Sequence, residues 1–353
     1  LTNITCSGAM PGVVAFVYNS DFRVTSMSVN GAILADYGHD ADGLLTAAGS
    51  LTLNRDAATG FLTNSVLGDV SDVWTYNGFG ELAGYSASTS GSTMYAVEYV
   101  RDKLGRITNR EEAIGGETTA YGYSYDSVGR LVQVTTNGAV RAEYFYDMNG
   151  NRTQSVVEGV SVAATFDAQD RLVSHGADSY FFDVNGALTS KVVNAETTVY
   201  SHDGFGSLLA VSLPDGRQIE YVMDAQNDRV AKKVDGALVQ GWLYSGLKPV
   251  AELDAGSNVV SLFVYGTKLT PDYMVKGGVT YRIVADHLGS VRLVVNAETD
   301  EIAQRLDYDE WGNVLQDTNP GFQPFGFQGG LYDVDTGLVH FGARWYDPVT
   351  GRW

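Results

Sequence analysis

The chain has 353 residues, 44% of them hydrophobic and only 18% charged, with 41 glycines against 7 prolines, so it can bury a core and lacks the composition of a disordered segment. Its formal net charge of −19 argues against a nucleic-acid backbone as partner, because phosphate binding needs a basic surface. The single cysteine, Cys6, excludes an internal disulfide framework, and no apolar run approaches membrane-spanning length.

The chain opens on Leu1 rather than Met, without a basic leader and cleavage site, and is read as a piece of a longer polypeptide. Its early apolar run, "MPGVVAFVY" at Met10–Tyr18, has about half the residues of a spanning helix. "HDADG" at His39–Gly43 has the acidity of a calcium loop without its full ligand series or terminal Glu.

One pattern then returns along the chain: aromatic, Asp or Asn, two residues, Gly, one residue, aliphatic. It reads "YNGFGEL" at Tyr76–Leu82, "YDSVGRL" at Tyr125–Leu131, "FDVNGAL" at Phe182–Leu188, "HDGFGSL" at His202–Leu208 and "YDEWGNV" at Tyr308–Val314. Looser copies are "RDKLGRI" at Arg101, "YDMNGNR" at Tyr146, "FDAQDRL" at Phe166 and "DHLGSVRL" at Asp286. The turn glycines Gly80, Gly105, Gly129, Gly150, Gly186 and Gly206 lie 25, 24, 21, 36 and 20 residues apart, and Asp170 takes the glycine place inside the long gap. A period near twenty residues fits one supersecondary unit per repeat.

Between turns the chain alternates. Tyr121, Tyr123 and Tyr125 share one face of an extended segment, with Ala120, Gly122 and Ser124 on the other. "IEYVMD" at Ile219–Asp224 keeps the same phase, and "LVQVTT" at Leu131–Thr136 continues extended after its turn. Asp can accept hydrogen bonds from the amides that follow it, and Gly takes the positive φ that a side chain resists. The motif is therefore a strand, a tight reversal and a returning strand. Such hairpins are unstable alone, so successive units must pair, with tyrosines packing from strand to strand. No long window keeps a helical period.

"REEAIGGE" at Arg110–Glu117 is expected to be a solvated loop, and "YGTKLTPDYMVKGG" at Tyr265–Gly278 an irregular boundary. "YDVDTG" at Tyr332–Gly337 also lacks a full calcium ligand set, and a structural role is expected for it. His39, His175, His202, His287 and His340 show no metal spacing, and no dinucleotide or Walker loop occurs, so no cofactor and no metal are expected.

"YDSVGRL" and its relatives resemble the YD repeats of the Rhs and teneurin families, with matches over most of residues 37–353. The closing run is more specific: "DHLGSVRLVV", "YDEWGNVL" and "FGFQGGLYDVDTGLVHFGARWYDPVTGRW" resemble the Rhs repeat-associated core region. The resemblance implies an all-β fold, a continuous antiparallel sheet of YD-repeat hairpins spiralling as part of a hollow shell. Residues 1–280 would be the repeat region and 281–353 the core-associated segment. It also implies an exported, secreted or cell-surface protein whose shell encloses a C-terminal toxin or other cargo polypeptide, with secretion-system components as further partners. In the family an intramolecular aspartyl autoprotease releases that cargo just beyond this region.

The family stretch R-x-Y-D-P-x-x-G-R-[FW] falls on Arg344, Tyr346, Asp347, Pro348, Gly351, Arg352 and Trp353, which makes Asp347 the candidate carboxylate and Arg344 its candidate charge partner. Family members usually continue to a second D-P, whereas this chain stops at Trp353, so it is expected to be catalytically incomplete alone. Two roles stay open for Asp347, catalytic carboxylate and turn cap. Two alternatives to an encapsulating shell also stay open. One is a surface recognition or adhesion module that presents Trp74, Trp242 and Trp311 to glycans or to a partner-cell protein. The other is an open ribbon without a closed cavity.

Overall fold

Two kinds of reversal alternate along the chain, and each is dictated by the residues that make it. The first is a two-residue hairpin in which both positions take positive φ, as at Asn137 (50°) and Gly138 (82°), the geometry that matches strand twist. Its tip is stitched to the preceding hairpin: Ala120 N donates to Asn137 Oδ1 at 2.9 Å, while Asn137 N donates to Ala120 O at 2.7 Å. Asp235 holds Gln218 in the same way.

The second reversal is the repeated motif. In "YDSVGRL" the Asp126 carboxylate accepts Val128 N at 3.0 Å and Arg130 N at 2.8 Å through Oδ1, and Gly129 sits at φ 92°. Asp170, in the glycine place of its own turn, takes φ 60°, and its carboxylate accepts Asn149 Nδ2 at 2.8 Å and Asn151 Nδ2 at 2.7 Å. The ladder slips by one residue just before the turn, between Ser124 and Tyr125. The same slip recurs before Asp102, Asp147 and Asp183.

The tyrosine does more than pack. The Tyr125 hydroxyl donates to Ile107 O at 2.7 Å and the Tyr146 hydroxyl to Leu131 O at 2.7 Å, each reaching the first strand residue of the preceding repeat. Arg130 completes the joint. Its Nε donates to Asp126 Oδ2 at 2.6 Å, its Nη1 to Asp147 O at 2.9 Å, and its guanidinium lies 4.8 Å from the Tyr146 ring centroid. The Asp126 and Asp147 turns are thus clamped together by a hydroxyl, a guanidinium and a carboxylate, whereas Phe166 and Phe182 bring no hydroxyl to their own turns.

The computed structural model describes residues 2–353. Among them 31 strands share one sheet, three more form a small second sheet, and the only helical piece is the short turn Phe327–Gly329. In the large sheet every pairing whose register is described joins antiparallel strands adjacent in sequence. The all-β antiparallel expectation holds. The expectation for "REEAIGGE" does not: Arg110–Glu112 lie within the strand Ile107–Ile114, and only Gly115–Gly116 form the turn. Glu112, 3% exposed, is kept inside because it accepts the Tyr95 hydroxyl at 2.9 Å.

The chain divides into two compact units. One comprises Val73–Ser201 with Ser212–Gly216. It contains the most regular repeats, and a core cluster of Ala164, Leu172 and Tyr180 backed by Phe166, Phe182 and Leu188. The other comprises Leu1–Asp72, His202–Val211 and Arg217–Trp353. Within it early strands meet late ones. Ser50 N donates to the Tyr273 hydroxyl at 3.4 Å, that hydroxyl donates to Ala48 O at 3.3 Å, and Arg282 reaches Ser65 Oγ at 3.3 Å and the Asp72 carboxylate. These partners are 210 to 225 residues apart in sequence.

The clamp predicts a coupled pair. Tyr146→Phe and Arg130→Ala should each lower stability by about 1 kcal/mol, the worth of one net hydrogen bond, and the double variant should lose less than their sum. A denaturant-unfolding cycle on the four proteins checks this; strict additivity would remove the joint.

Candidate functional site

The chemistry-bearing side chains gather where "YDVDTG" meets the strands Gln218–Met223 and Arg229–Val234. Backbone bonds shape the turn itself, Asp333 N to Leu338 O at 2.9 Å and Gly337 N to Asp333 O at 2.8 Å. Its carboxylates face the sheet. Asp333, 2% exposed, accepts Lys232 Nζ at 2.7 Å on Oδ1, and on Oδ2 the Tyr221 hydroxyl at 3.0 Å and Arg229 Nη1 at 3.4 Å. Asp335 accepts Lys232 Nζ at 2.6 Å and is paired with Arg217. A structural role was expected for these acids, and they serve as ionic anchors.

Arg229 is boxed by rings. Its guanidinium carbon lies 4.4 Å from the Trp242 centroid, 5.1 Å from Trp345 and 5.5 Å from Tyr221, while Tyr221 and Trp345 are 4.3 Å apart. Tyr221, Arg229, Lys232 and Trp242 belong to repeat strands, whereas Trp345 belongs to the small sheet of Leu331–Tyr332, Val339–Phe341 and Arg344–Tyr346. The cage therefore fastens the closing segment to the repeats. Removing one partner of such a buried set costs about 3–5 kcal/mol, because the remaining charge is stranded in a medium that solvates it poorly.

Two buried titratable groups have shifted pKa values in this part of the structure, His340 at the cage and Asp228 in the turn before Arg229. His340 packs on Trp345 at 4.7 Å, and its Nε2 is buried with no hydrogen-bond partner among the described residues. Burial holds its pKa well below the usual histidine value, and the charge of Arg229 adds to the effect. Asp228 occupies the position filled by Arg106, Arg130 and Arg171 in other turns, but among the described residues no counter-ion meets it. Burial, then the neighbouring Asp224 carboxylate, pushes its pKa up to about 6.

Of the two residues nominated for catalysis, Asp347 opens the closing turn and Arg344 begins the strand that leads into it. Asp347 Oδ1 accepts Val349 N at 2.9 Å, and its backbone pairs with Arg352 (Asp347 N to Arg352 O, 2.8 Å), a capped reversal one residue longer than that of the repeats and matching the Asp333 turn. Arg344 is exposed, and its guanidinium lies 4.1 Å from the Trp353 ring rather than in an ion pair. Neighbouring contacts seat this turn on the last repeat. The Tyr346 hydroxyl donates to Trp311 O at 2.7 Å and Asn313 Nδ2 to Pro348 O at 3.1 Å. Of the three tryptophans considered as sugar platforms, Trp242 is 0% exposed in the cage, Trp74 packs 5.2 Å from Tyr85, and Trp311 is half-buried and accepts the Tyr346 hydroxyl on its backbone carbonyl.

Sequence inspection missed the cage because Lys232 and Asp333 are 101 residues apart. A signal was present. "NDRVAKKV" at Asn227–Val234 puts Arg where most other repeats restart with an aliphatic residue, and follows it with lysines inside a strand.

The Teneurin YD-shell family matches residues 4–353. Teneurin-3 of Danio rerio is 30% identical over 276 residues, covering 74% of this chain and 10% of that protein. The tRNA nuclease WapA of Bacillus subtilis is 27% identical over 243 residues, covering 64% of this chain and 10% of WapA. Among solved structures, TcdB2–TccC3 superposes with a TM-score of 0.68 at 15% identity, over 98% of this chain and 21% of that one. The Photorhabdus luminescens Tc holotoxin pore gives 0.68 at 14% identity, over 97% of this chain and 20% of that one. The chain thus spans about a tenth of the curated relatives' length and shares its fold with a fifth of these larger chains.

His340 and Asp228 should tilt stability with pH in opposite senses. His340 is neutral in the fold, so its contribution is intact above the ordinary histidine value near 6.5 and is lost as pH falls below it. Asp228 is held protonated more readily than in the unfolded chain, so its penalty is full above about 6 and is relieved as pH falls toward 3.8. Thermal unfolding scans between those limits should show a shallower acid loss for His340→Gln and a steeper one for Asp228→Asn. Identical profiles for both variants and the parent would refute the assignment.

Proposed function

Because the chain belongs to the teneurin YD-shell family, we propose that it forms part of the wall of a β-shell enclosing a polypeptide cargo, within an exported protein of the Rhs type. Residues 1–280 supply the repeat wall and 281–353 the closing segment. The observation that carries this reading is the cage around Arg229 and Asp333, which ties the closing segment into the wall by buried charge pairs instead of leaving it as a separate domain. The meeting of strands more than 200 residues apart supports it too, since a spiral wall must meet itself again after each revolution. The cargo, its toxicity and a secreted or cell-surface location belong to this proposal. The nuclease activity in WapA's name is that protein's own.

Asp347 is the carboxylate we assign to self-cleavage in a form of the protein that continues past Trp353. An aspartyl mechanism uses two carboxylates that share a proton, one as base and one as acid, and the second must come from that continuation. In the described turn Asp347 also acts as a cap, and the two roles can be separated. Asn can accept the same Val349 amide through its side-chain oxygen but cannot serve as the base.

Two outcomes follow for the longer protein. Electron micrographs should show a hollow body, and a solid particle would contradict the shell. Asp347→Asn should abolish self-cleavage on a denaturing gel while leaving the unfolding temperature within a degree or two. Undiminished cleavage would take Asp347 out of the mechanism.

A further inference from the structure

Beside the cage lies a cleft with about 80 Å³ of open interior, in which Leu306, Val314 and Phe325 surround a few polar groups, Glu252 of the repeat strands, Tyr308 and Asp317 of the hairpin 302–317, and Gln323 of the segment that follows. On this measure one water needs roughly 10–15 Å³, so the space suits a small polar head group.

The charges around it do not balance. Glu252, 9% exposed, accepts only neutral donors, Gln240 Nε2 at 2.6 Å and Ser261 Oγ at 3.0 Å. Asp317 Oδ1 accepts Gln304 Nε2 at 2.8 Å and Asn319 N at 2.9 Å, while its Oδ2 accepts nothing among the described residues. Neither carboxylate forms an ion pair there. Lys232, the one cation on the lining, is spent on Asp333 and Asp335. Lys232 against Glu252, Asp317 and Asp333 leaves the lining with a net charge of +1 − 3 = −2. A carboxylate as sheltered as Glu252, with the half-buried Asp317 on the same lining, calls for a cation with hydrogen-bond donors.

Two further features define the ligand. The Tyr308 hydroxyl is buried on this lining with no hydrogen-bond partner among the described residues, an acceptor or donor held ready. Gln323 is locked, taking Phe325 N at 2.6 Å on its oxygen and donating through Nε2 to Phe325 O at 2.8 Å and to Gln304 Oε1 at 3.2 Å. This relay turns the Gln304 amide nitrogen toward Asp317 and so fixes that carboxylate. No group of three or more acidic, histidine or cysteine side chains is placed to hold a metal ion among the described residues. Dispersed acceptors instead match a planar cation that donates in several directions.

We propose that this cleft binds a guanidinium group, as an arginine side chain of a polypeptide presents it, with Glu252 and Asp317 as the paired anions and Tyr308 as a further hydrogen-bonding group. The assignment stands on the cleft alone and does not depend on the shell.

The test is a titration of the whole chain with N-acetyl-arginine methylamide, followed by the side-chain amide signals of Gln304 and Gln323. The neutral isostere N-acetyl-citrulline methylamide and calcium ion are run as separate arms. A saturable shift with the arginine compound is expected, absent with citrulline, and weakened at least about tenfold by Glu252→Gln and by Asp317→Asn, the worth of one charge-assisted hydrogen bond. Asp317 is only half-buried, so its variant keeps the test decisive if Glu252→Gln unfolds. No saturable shift, an equal shift with citrulline, a response to calcium alone, or unchanged affinity in a folded variant would each overturn the proposal.

Discussion

The structure depends on the joint between consecutive repeats, which at Tyr125, Tyr146 and Tyr244 is made by a tyrosine hydroxyl that reaches the first strand carbonyl of the repeat before it. A hairpin of six to nine residues a side, such as Glu117–Tyr125 with Leu131–Thr136, cannot stand alone in water. Ladder hydrogen bonds supply the pairing, but a strand could slide along its neighbour by two residues and keep them. The Tyr146 hydroxyl on Leu131 O removes that freedom, because its acceptor is one particular carbonyl. The aspartate turn brings the tyrosine to its place, and the arginine after the glycine ties that aspartate to the next turn's backbone. Hydrogen bonds from Arg106 hold the Asp102 carboxyl below its usual pKa, as expected for a carboxylate used as an acceptor. These ion pairs are half exposed and add little energy by themselves. Their value is in fixing geometry.

The closing segment uses the same chemistry in a drier setting. Asp333 takes a lysine, an arginine and a tyrosine at once, and Arg229 is enclosed by three rings. Buried charge pairs of this kind contribute less to stability than an apolar core of equal volume would, yet they tolerate no misplacement. A segment of irregular backbone that must seat on a sheet in one way is better served by such partners than by interchangeable hydrophobic contacts. Asp228 and His340 follow from the same placement. His340 packs against the cage and Asp228 is buried beside Asp224, and among the described residues neither meets a group of opposite charge.

Much of the fold was legible because its signals are local. An aspartate that caps its own turn and a glycine at positive φ act within five residues, so Asp126 and Gly129 could be read directly, as could Asp170 standing in for glycine. Alternation placed Tyr121, Tyr123 and Tyr125 on one face, and all three are half-buried. The hydroxyl joints were hidden because a tyrosine that only packs and one that also donates look alike in sequence. "REEAIGGE" misled for a related reason: its charges suggest solvent, whereas the buried Glu112 is satisfied by Tyr95 from the adjacent strand. For the closing turn, sequence resemblance singled out Asp347 and Arg344, and the structure adds that one caps the reversal while the other stacks on Trp353. The cage and the cleft arise only when strands distant in sequence meet, and no short window holds that information.

The most direct measurement of the inter-repeat joint is amide hydrogen exchange on Tyr146→Phe beside the parent. If the hydroxyl sets the register, protection should fall at the start of the strand Leu131–Thr136 and in the turn Asp147–Asn151, and stay unchanged in distant repeats. Unaltered exchange at both places would mean that the sheet keeps its register without that bond.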